Sequence, residues 1–177
     1  MVVTLIGYRG TGKSVVAQEL AAMLGWSVVD ADDEIERRAG RTIREIFDID
    51  GESEFRRLER DVMRELLTRE STVVAAGGGA ILNDETLADA VRAGEIVWLT
   101  ASVDTILRRL ESDAATRSRR PALTDHDQRA EVEQVLTART PRYQAAATIT
   151  VATDDRSPAE IAEEIRAQLG AAGEQGR

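Results

Sequence analysis

Gly7-Tyr8-Arg9-Gly10-Thr11-Gly12-Lys13-Ser14 is the stretch on which the reading of this chain turns. It follows the apolar run Val2-Val3-Thr4-Leu5-Ile6. It opens onto Ser14–Leu24, where Val16, Leu20 and Met23/Leu24 fall on one helical face and Gly25 stands as the C-cap. A buried strand, a turn of the form G-x-x-x-x-G-K-S and an amphipathic helix together make a phosphate-binding loop. The glycines let the backbone curl so that several N–H groups converge on phosphate oxygens, and the helix presents its positive end. In such a loop the Lys13 ammonium reaches the β- and γ-phosphates and the Ser14 hydroxyl ligates Mg²⁺.

Outward from this loop, short apolar runs alternate with helical patterns. Val2–Ile6, Ser27–Val29, Thr72–Ala76, Ile96–Leu99 and Thr148–Val151 read as buried strands. Thr42-Ile43-Arg44-Glu45 and Ser157-Pro158-Ala159-Glu160 are capping boxes, the second followed by Ile161, Ile165 and Leu169 on one face. The alternation predicts an α/β domain: one parallel sheet with helices on both faces, in a single unit over 1–170. Two stretches exceed simple crossovers, a helical insertion at about 31–65 and a polar, Arg/Asp/Thr-rich segment at about 112–128 that reads as a lid. Residues 171–177 read as a frayed tail.

Composition narrows the function. In 177 residues there is no cysteine and one histidine, which excludes a disulfide framework and a thiolate or histidine-built metal site. No run approaches the ~18 apolar residues of a membrane span. The first residues lack a basic leader and a hydrophobic signal core, so a cytoplasmic address is expected. A net charge of -9 and only six aromatic residues argue against nucleic acid as a partner. Of 23 basic residues Lys13 is the only lysine.

Other residues must choose the phosphoryl acceptor. In Asp30-Ala31-Asp32-Asp33-Glu34, alternation at an extended strand end points Asp30 and Asp32 the same way. One carboxylate then serves the magnesium side and the other an acceptor hydroxyl; the plainer reading is an acidic helix start, which suffices for Asp33 and Glu34. Arg56 and Glu59 stand at i, i+3, so the acid can orient the guanidinium, whereas Arg57, Arg60 and Arg64 read as a salt-bridged outer face. Gly77-Gly78-Gly79 ends the third strand with bare backbone that a ligand can approach closely. Arg117-Ser118-Arg119-Arg120-Pro121 concentrates positive charge in the expected lid. Arg139-Thr140-Pro141-Arg142-Tyr143 breaks a helical pattern at Pro141 and aims Arg139 inward. His126 reads as a surface residue.

Taken in order, these motifs resemble the shikimate kinases, from about Val3 to Leu169. The carriers are Gly7–Ser14, Asp30-Ala-Asp32, Gly51-Glu-x-x-Phe-Arg56-x-x-Glu59, Gly77-Gly-Gly79, Arg120-Pro121 and Arg139-x-Pro141-x-Tyr143. The resemblance implies a three-layer P-loop kinase fold with strand order 2-3-1-4-5, a helical substrate-binding insertion and a lid. It implies transfer of the ATP γ-phosphoryl group to the 3-hydroxyl of shikimate in chorismate and aromatic amino-acid biosynthesis, by a cytosolic monomer. Gly10, Thr11, Gly12, Lys13, Ser14 and Val15 would cradle ATP, with Ser14 and Asp30 on the Mg²⁺ side. Asp32 would contact the shikimate hydroxyls and is the candidate base. Arg56 and Arg139 would hold the carboxylate beside Gly77, Gly78 and Gly79. Arg120 would touch ATP and stabilise transferring charge, and Arg156 would flank the adenine. Arg9, within the loop, and Ala122 depart from the family's usual residues. The rivals are a kinase for another small hydroxy acid such as gluconate, and a nucleotide-dependent regulatory module.

Overall fold

The apolar runs become strands β1 (Val2–Ile6), β2 (Ser27–Asp30), β3 (Thr72–Ala75), β4 (Gly94–Thr100) and β5 (Ile149–Ala152). All pair in parallel in the order β2-β3-β1-β4-β5, as expected. The computed structural model describes the backbone of residues 1–112 and 125–175 and the side chains of 1–112 and 128–171. The expected lid therefore lies almost wholly outside the described residues, Arg117, Arg119, Arg120 and Pro121 included, as does the side chain of His126.

Seven α-helices occur among the described residues: α1 (Lys13–Leu24), α2 (Ala31–Ala39), α3 (Ile43–Leu66), α4 (Asp84–Ala93), α5 (Val103–Ser112), α6 (Asp125–Ala146) and α7 (Pro158–Gln175). Strand alternation sorts their apolar faces onto two sides. Val2 and Ile6 of β1 pack with Ile35, Ile46, Met63, Leu66 and Tyr143, whereas Val3 and Leu5 pack with Val16, Leu20, Ile161 and Ile165. Each such side chain taken fully out of water contributes about 1.5–3 kcal/mol. With apolar burial on both faces, the central strand has no solvent-facing side, which is why β1 reads as a continuous apolar run.

Both capping boxes form. Thr42 Oγ1 accepts from the Glu45 N–H while the Glu45 carboxylate takes the Thr42 N–H at 2.8 Å, and Ser157 and Glu160 repeat the arrangement. The expected insertion is α2 plus α3, and α3 is interrupted at Gly51, whose φ of 84° and ψ of 174° leave the helical region. That backbone state is open essentially to glycine alone. It turns the short segment from Ile43 back over the longer one that carries Phe55, Arg56 and Glu59.

Four local expectations are corrected. Met23 is exposed, so Leu24 alone completes the inner face of α1. Pro141 does not break α6, which runs on to Ala146; burial of Val132 and Tyr143 outweighs the one backbone bond that proline forfeits. The last helix continues to Gln175 where a frayed tail was expected, Ala171 and Ala172 favouring helix while Gly170 and Gly173 oppose it. Arg60 is not an outer-face residue: 19% exposed, it bridges α3 to Asp89 of α4.

Gly51→Ala tests the interruption. No atom lies within 4 Å of a methyl placed there, so its cost is conformational. It is expected to lower unfolding free energy by about 1–3 kcal/mol, read as a lower urea midpoint at unchanged slope.

Candidate active site

Every strand of a parallel sheet ends on the same edge, and the singled-out residues collect there. The Gly7–Ser14 loop follows β1, Asp30 ends β2, Gly77–Gly79 follow β3, and Arg156 lies in the loop after β5. Gly12 is the N-cap of α1 at a φ of 91°, a left-handed turn that brings the loop onto the helix end. Thr11 is buried, its hydroxyl donating to the Tyr8 carbonyl at 2.8 Å, while Val15 faces outward.

Lys13 folds back over its own loop, Nζ donating to the carbonyls of Gly7 at 2.9 Å and Tyr8 at 3.0 Å. Burial pulls its pKa below the usual lysine value, opposed by Asp32 and Asp30 and reinforced by Arg139. The ammonium is therefore the point at which the phosphate loop, the β2 end and α6 meet electrostatically. Asp30 caps α2, accepting from the N–H groups of Asp32 and Asp33, and also accepts the Ser14 hydroxyl. The extended alternation expected for Asp30 and Asp32 is thus corrected: α2 begins at Ala31, and Asp32 occupies its first turn. The acidic helix cap therefore also meets the hydroxyl that follows Lys13.

Asp32, Arg56, Gly77, Gly78, Gly79 and Arg139, brought together from four elements, line one cavity of about 510 Å³. Arg56 Nη1 donates to Glu59 Oε2 at 2.7 Å, and Glu52 takes its Nε and Nη2 at 3.3 and 3.2 Å. Glu59 is only 5% exposed; burial raises its pKa while Arg56 and Arg139 pull it down. For Arg56 burial acts downward, yet Glu59 and Glu52 carry the net shift upward. With Arg56 38% exposed and Glu59 buried, solvent screens the pair on the arginine side. Arg139 Nη1 donates to the Gly78 carbonyl at 3.0 Å, and the Tyr143 hydroxyl donates to the same oxygen.

At Gly77 and Gly79 an added side chain would displace the charged tips that line the cavity, whereas Gly78 has only ordinary contacts. A methyl on Gly77 would sit 2.7 Å from Glu59 Oε1 and 2.9 Å from Asp32 Oδ1, and one on Gly79 would sit 2.6 Å from Arg56 Nη1. Charged groups on three sides touch bare backbone.

Arg156 behaves less simply. Its guanidinium donates to the carbonyls of Ala152 and Glu160 and pairs with Glu164 at 2.6 Å, which holds it against the first turns of α7. Sequence reading missed Arg109, whose guanidinium joins the Gly10 carbonyl at 3.3 Å to the buried Thr153 at 2.9 and 2.7 Å. It also missed the Phe47 and Phe55 pair on the cavity wall, with ring centroids 4.7 Å apart. Their helical spacing reads as core; only the break at Gly51, itself visible as a mid-helix glycine, signals otherwise.

Among the described residues no group of three or more His, Cys, Asp or Glu could hold a metal, and no helix is long and apolar enough to cross a membrane. Ser14 and Asp30 supply two hard oxygens. They fit an ion such as Mg²⁺ that keeps water and phosphate oxygens in its shell, not one needing a full protein cage.

The shikimate kinase family model matches residues 9–170. The chain belongs to the shikimate kinase family. A shikimate kinase of Thermobifida fusca is 45% identical over 170 residues, covering 96% of this chain and 95% of that protein. One from Rhodopirellula baltica is 42% identical over 91% of this chain and 86% of its own length. The structure of the Acinetobacter baumannii shikimate kinase in complex with shikimate superposes with a TM-score of 0.89 at 33% identity, covering 97% of this chain and 93% of that one. The activity is that of the family, ATP-dependent phosphorylation of a shikimate hydroxyl, and neither rival is favoured.

Gly79→Ala is a direct probe of the glycine wall. The methyl displaces the Arg56 fork, so the shikimate KM is expected to rise about tenfold or more while the ATP KM stays within about twofold. Steady-state kinetics with each substrate varied reads both.

Proposed function

We propose that the chain performs this transfer to the 3-hydroxyl of shikimate in the space between Lys13 and the glycine-walled cavity. The observation that supports it most strongly is that Asp32 and Arg139 face both sides. They act electrostatically on Lys13, and they line the cavity with Arg56. The donor's phosphates and the acceptor's hydroxyl thus share one set of charges.

In this reading Gly10 through Val15 wrap the ATP phosphates with backbone N–H groups, and Lys13 leaves the Gly7 and Tyr8 carbonyls for phosphate oxygens. Ser14 and Asp30 hold the magnesium side; Mg²⁺, when bound, supplies neutralisation of phosphate charge. Arg56, pre-oriented by Glu59, and Arg139, pre-oriented by Gly78, grip the shikimate carboxylate. Two planar guanidinium forks match a carboxylate better than ammonium groups would. Asp32 receives the hydroxyl: it orients the attacking oxygen and accepts its proton as the bond to phosphorus forms. Phosphoryl transfer asks chiefly for alignment and charge neutralisation, which this arrangement supplies without a covalent intermediate. Arg120, outside the described residues, completes neutralisation at the transferring group, and Arg156 flanks the adenine after exchanging its contacts with α7. The acceptor is a small polyol acid in a cytoplasmic, monomeric enzyme.

A coupled assay of ADP release with shikimate, gluconate and nucleoside monophosphates tests the acceptor. Shikimate alone is expected to stimulate turnover; stimulation by gluconate or a monophosphate instead would overturn the reading. Lys13→Ala and Asp32→Asn are each expected to lower kcat by about 100-fold or more, and Arg139→Ala to raise the shikimate KM as well. Full kcat in Asp32→Asn would remove that residue from proton transfer.

A further inference from the structure

Two residues of the phosphate loop, Tyr8 and Arg9, line the cavity and also reach α6. Tyr8 is 4% exposed and packs with Ile106 and Leu110 of α5 and Val132 of α6. Arg9 Nη2 donates to Glu131 Oε1 at 3.0 Å, its Nε donates to the Tyr8 hydroxyl at 3.1 Å, and its guanidinium carbon stands 5.5 Å from the Tyr8 ring centroid. The two charged side chains are only 22% and 28% exposed, so bulk solvent screens their attraction less than it would on an open surface.

The position of Glu131 on α6 gives this pair its reach. Its neighbour Val132 lies seven residues before Arg139 and eleven before Tyr143, so the helix repeat puts those three on nearly one face, with Glu131 turned about 80° from Arg139. The helix that meets the phosphate loop through Glu131 and Val132 therefore clasps the Gly78 carbonyl through Arg139 and Tyr143. The loop meets this second point as well. A methyl on Gly78 would lie 3.5 Å from the Gly7 carbonyl oxygen, 3.6 Å from Arg139 Nη1 and 3.9 Å from the Arg9 nitrogen. Finally, the Tyr8 carbonyl is one of the two acceptors that hold Lys13. Moving Lys13 onto a phosphate oxygen changes the bonding of the residue next to Arg9.

We propose that Arg9 is a positioning residue for the reaction: with Glu131 it ties α6 to the phosphate loop, so that nucleotide binding sets the grip of Arg139 on the substrate carboxylate. The inference rests on the role given to Arg139 above. By linkage the effect is reciprocal, and a loop that nucleotide orders tightens shikimate by the same factor that shikimate tightens nucleotide. Glu131 does not line the cavity while its partner Arg9 does, so the pair connects α6 to the cavity wall.

Calorimetric titration of shikimate into the full-length chain, with and without Mg²⁺ and a non-hydrolysable ATP analogue, measures the coupling. In the wild type the analogue is expected to tighten shikimate at least about fivefold, near the lower end of ordinary allosteric factors. In Glu131→Gln and in Arg9→Met the factor is expected to fall below about twofold. The double variant is expected to lose no more than either single one, and Arg9→Lys, which keeps the cation, to retain most of the factor. Shikimate affinity indifferent to nucleotide in the wild type overturns the proposal. So does an undiminished factor in Glu131→Gln, a further loss in the double variant, or an Arg9→Lys no better than Arg9→Met. Arg139→Ala separates the two readings. If it leaves shikimate affinity intact, the assignment of the carboxylate clamp fails; if it weakens binding while Glu131→Gln keeps the full factor, only the coupling role of Arg9 fails.

Discussion

An ammonium removed from water must be surrounded by acceptors and opposite charge, and the only lysine of this chain has both. Lys13 rests on two carbonyls of its own loop; burial lowers its pKa, the charges of Asp32 and Asp30 oppose that, and the like charge of Arg139 adds to it. The end of β2, the phosphate loop and α6 thus converge on that single group. The parallel sheet makes the convergence possible by ending every strand on one edge, with β1 in the middle. The acceptor cavity inherits its location from the same constraint, since Asp32 and Arg139 belong to both neighbourhoods.

The second half of the site is organised by arginine. The chain is acidic overall, yet Arg9, Arg44, Arg56 and Arg139 line the cavity, balanced by Asp32, Asp48, Glu52 and Glu59. Each guanidinium that matters here is oriented before a substrate arrives. Glu59 and Glu52 take Arg56, the Gly78 carbonyl takes Arg139, and Glu131 takes Arg9. Orientation in advance lowers the entropy lost on binding, and in a transfer governed by alignment that saving appears in the rate.

Much of this was legible in the chain because it rests on local rules. The phosphate loop is a short motif with a strand before it and a helix after it, and the strands are apolar runs because both sheet faces are covered. The capping boxes need only four residues each. Legibility fell where distant contacts overrule local preference. Pro141 stays helical because Val132 and Tyr143 are anchored on either side. Asp30 and Asp32 both act on Lys13, but a helix cap and first turn, not an extended strand, set their geometry. Arg109 acts on Gly10, 99 residues away, and no pattern near either one announces it. Arg60 reads as one more charged position on an outer helix face until its partner on α4 is in view.

The bare wall after β3 also limits how such a site can diversify. Carboxylates and a guanidinium group already fill the space a side chain would need at Gly77 and Gly79, so a side chain added there has to displace Glu59, Asp32 or Arg56. On the short helical segment before Gly51, Arg44 and Asp48 line the cavity from exposed positions, whereas Ile43 and Phe47 pack on the core. Drift toward a bulkier or differently shaped acceptor has an open route at those two exposed positions, which the hydrophobic core does not include.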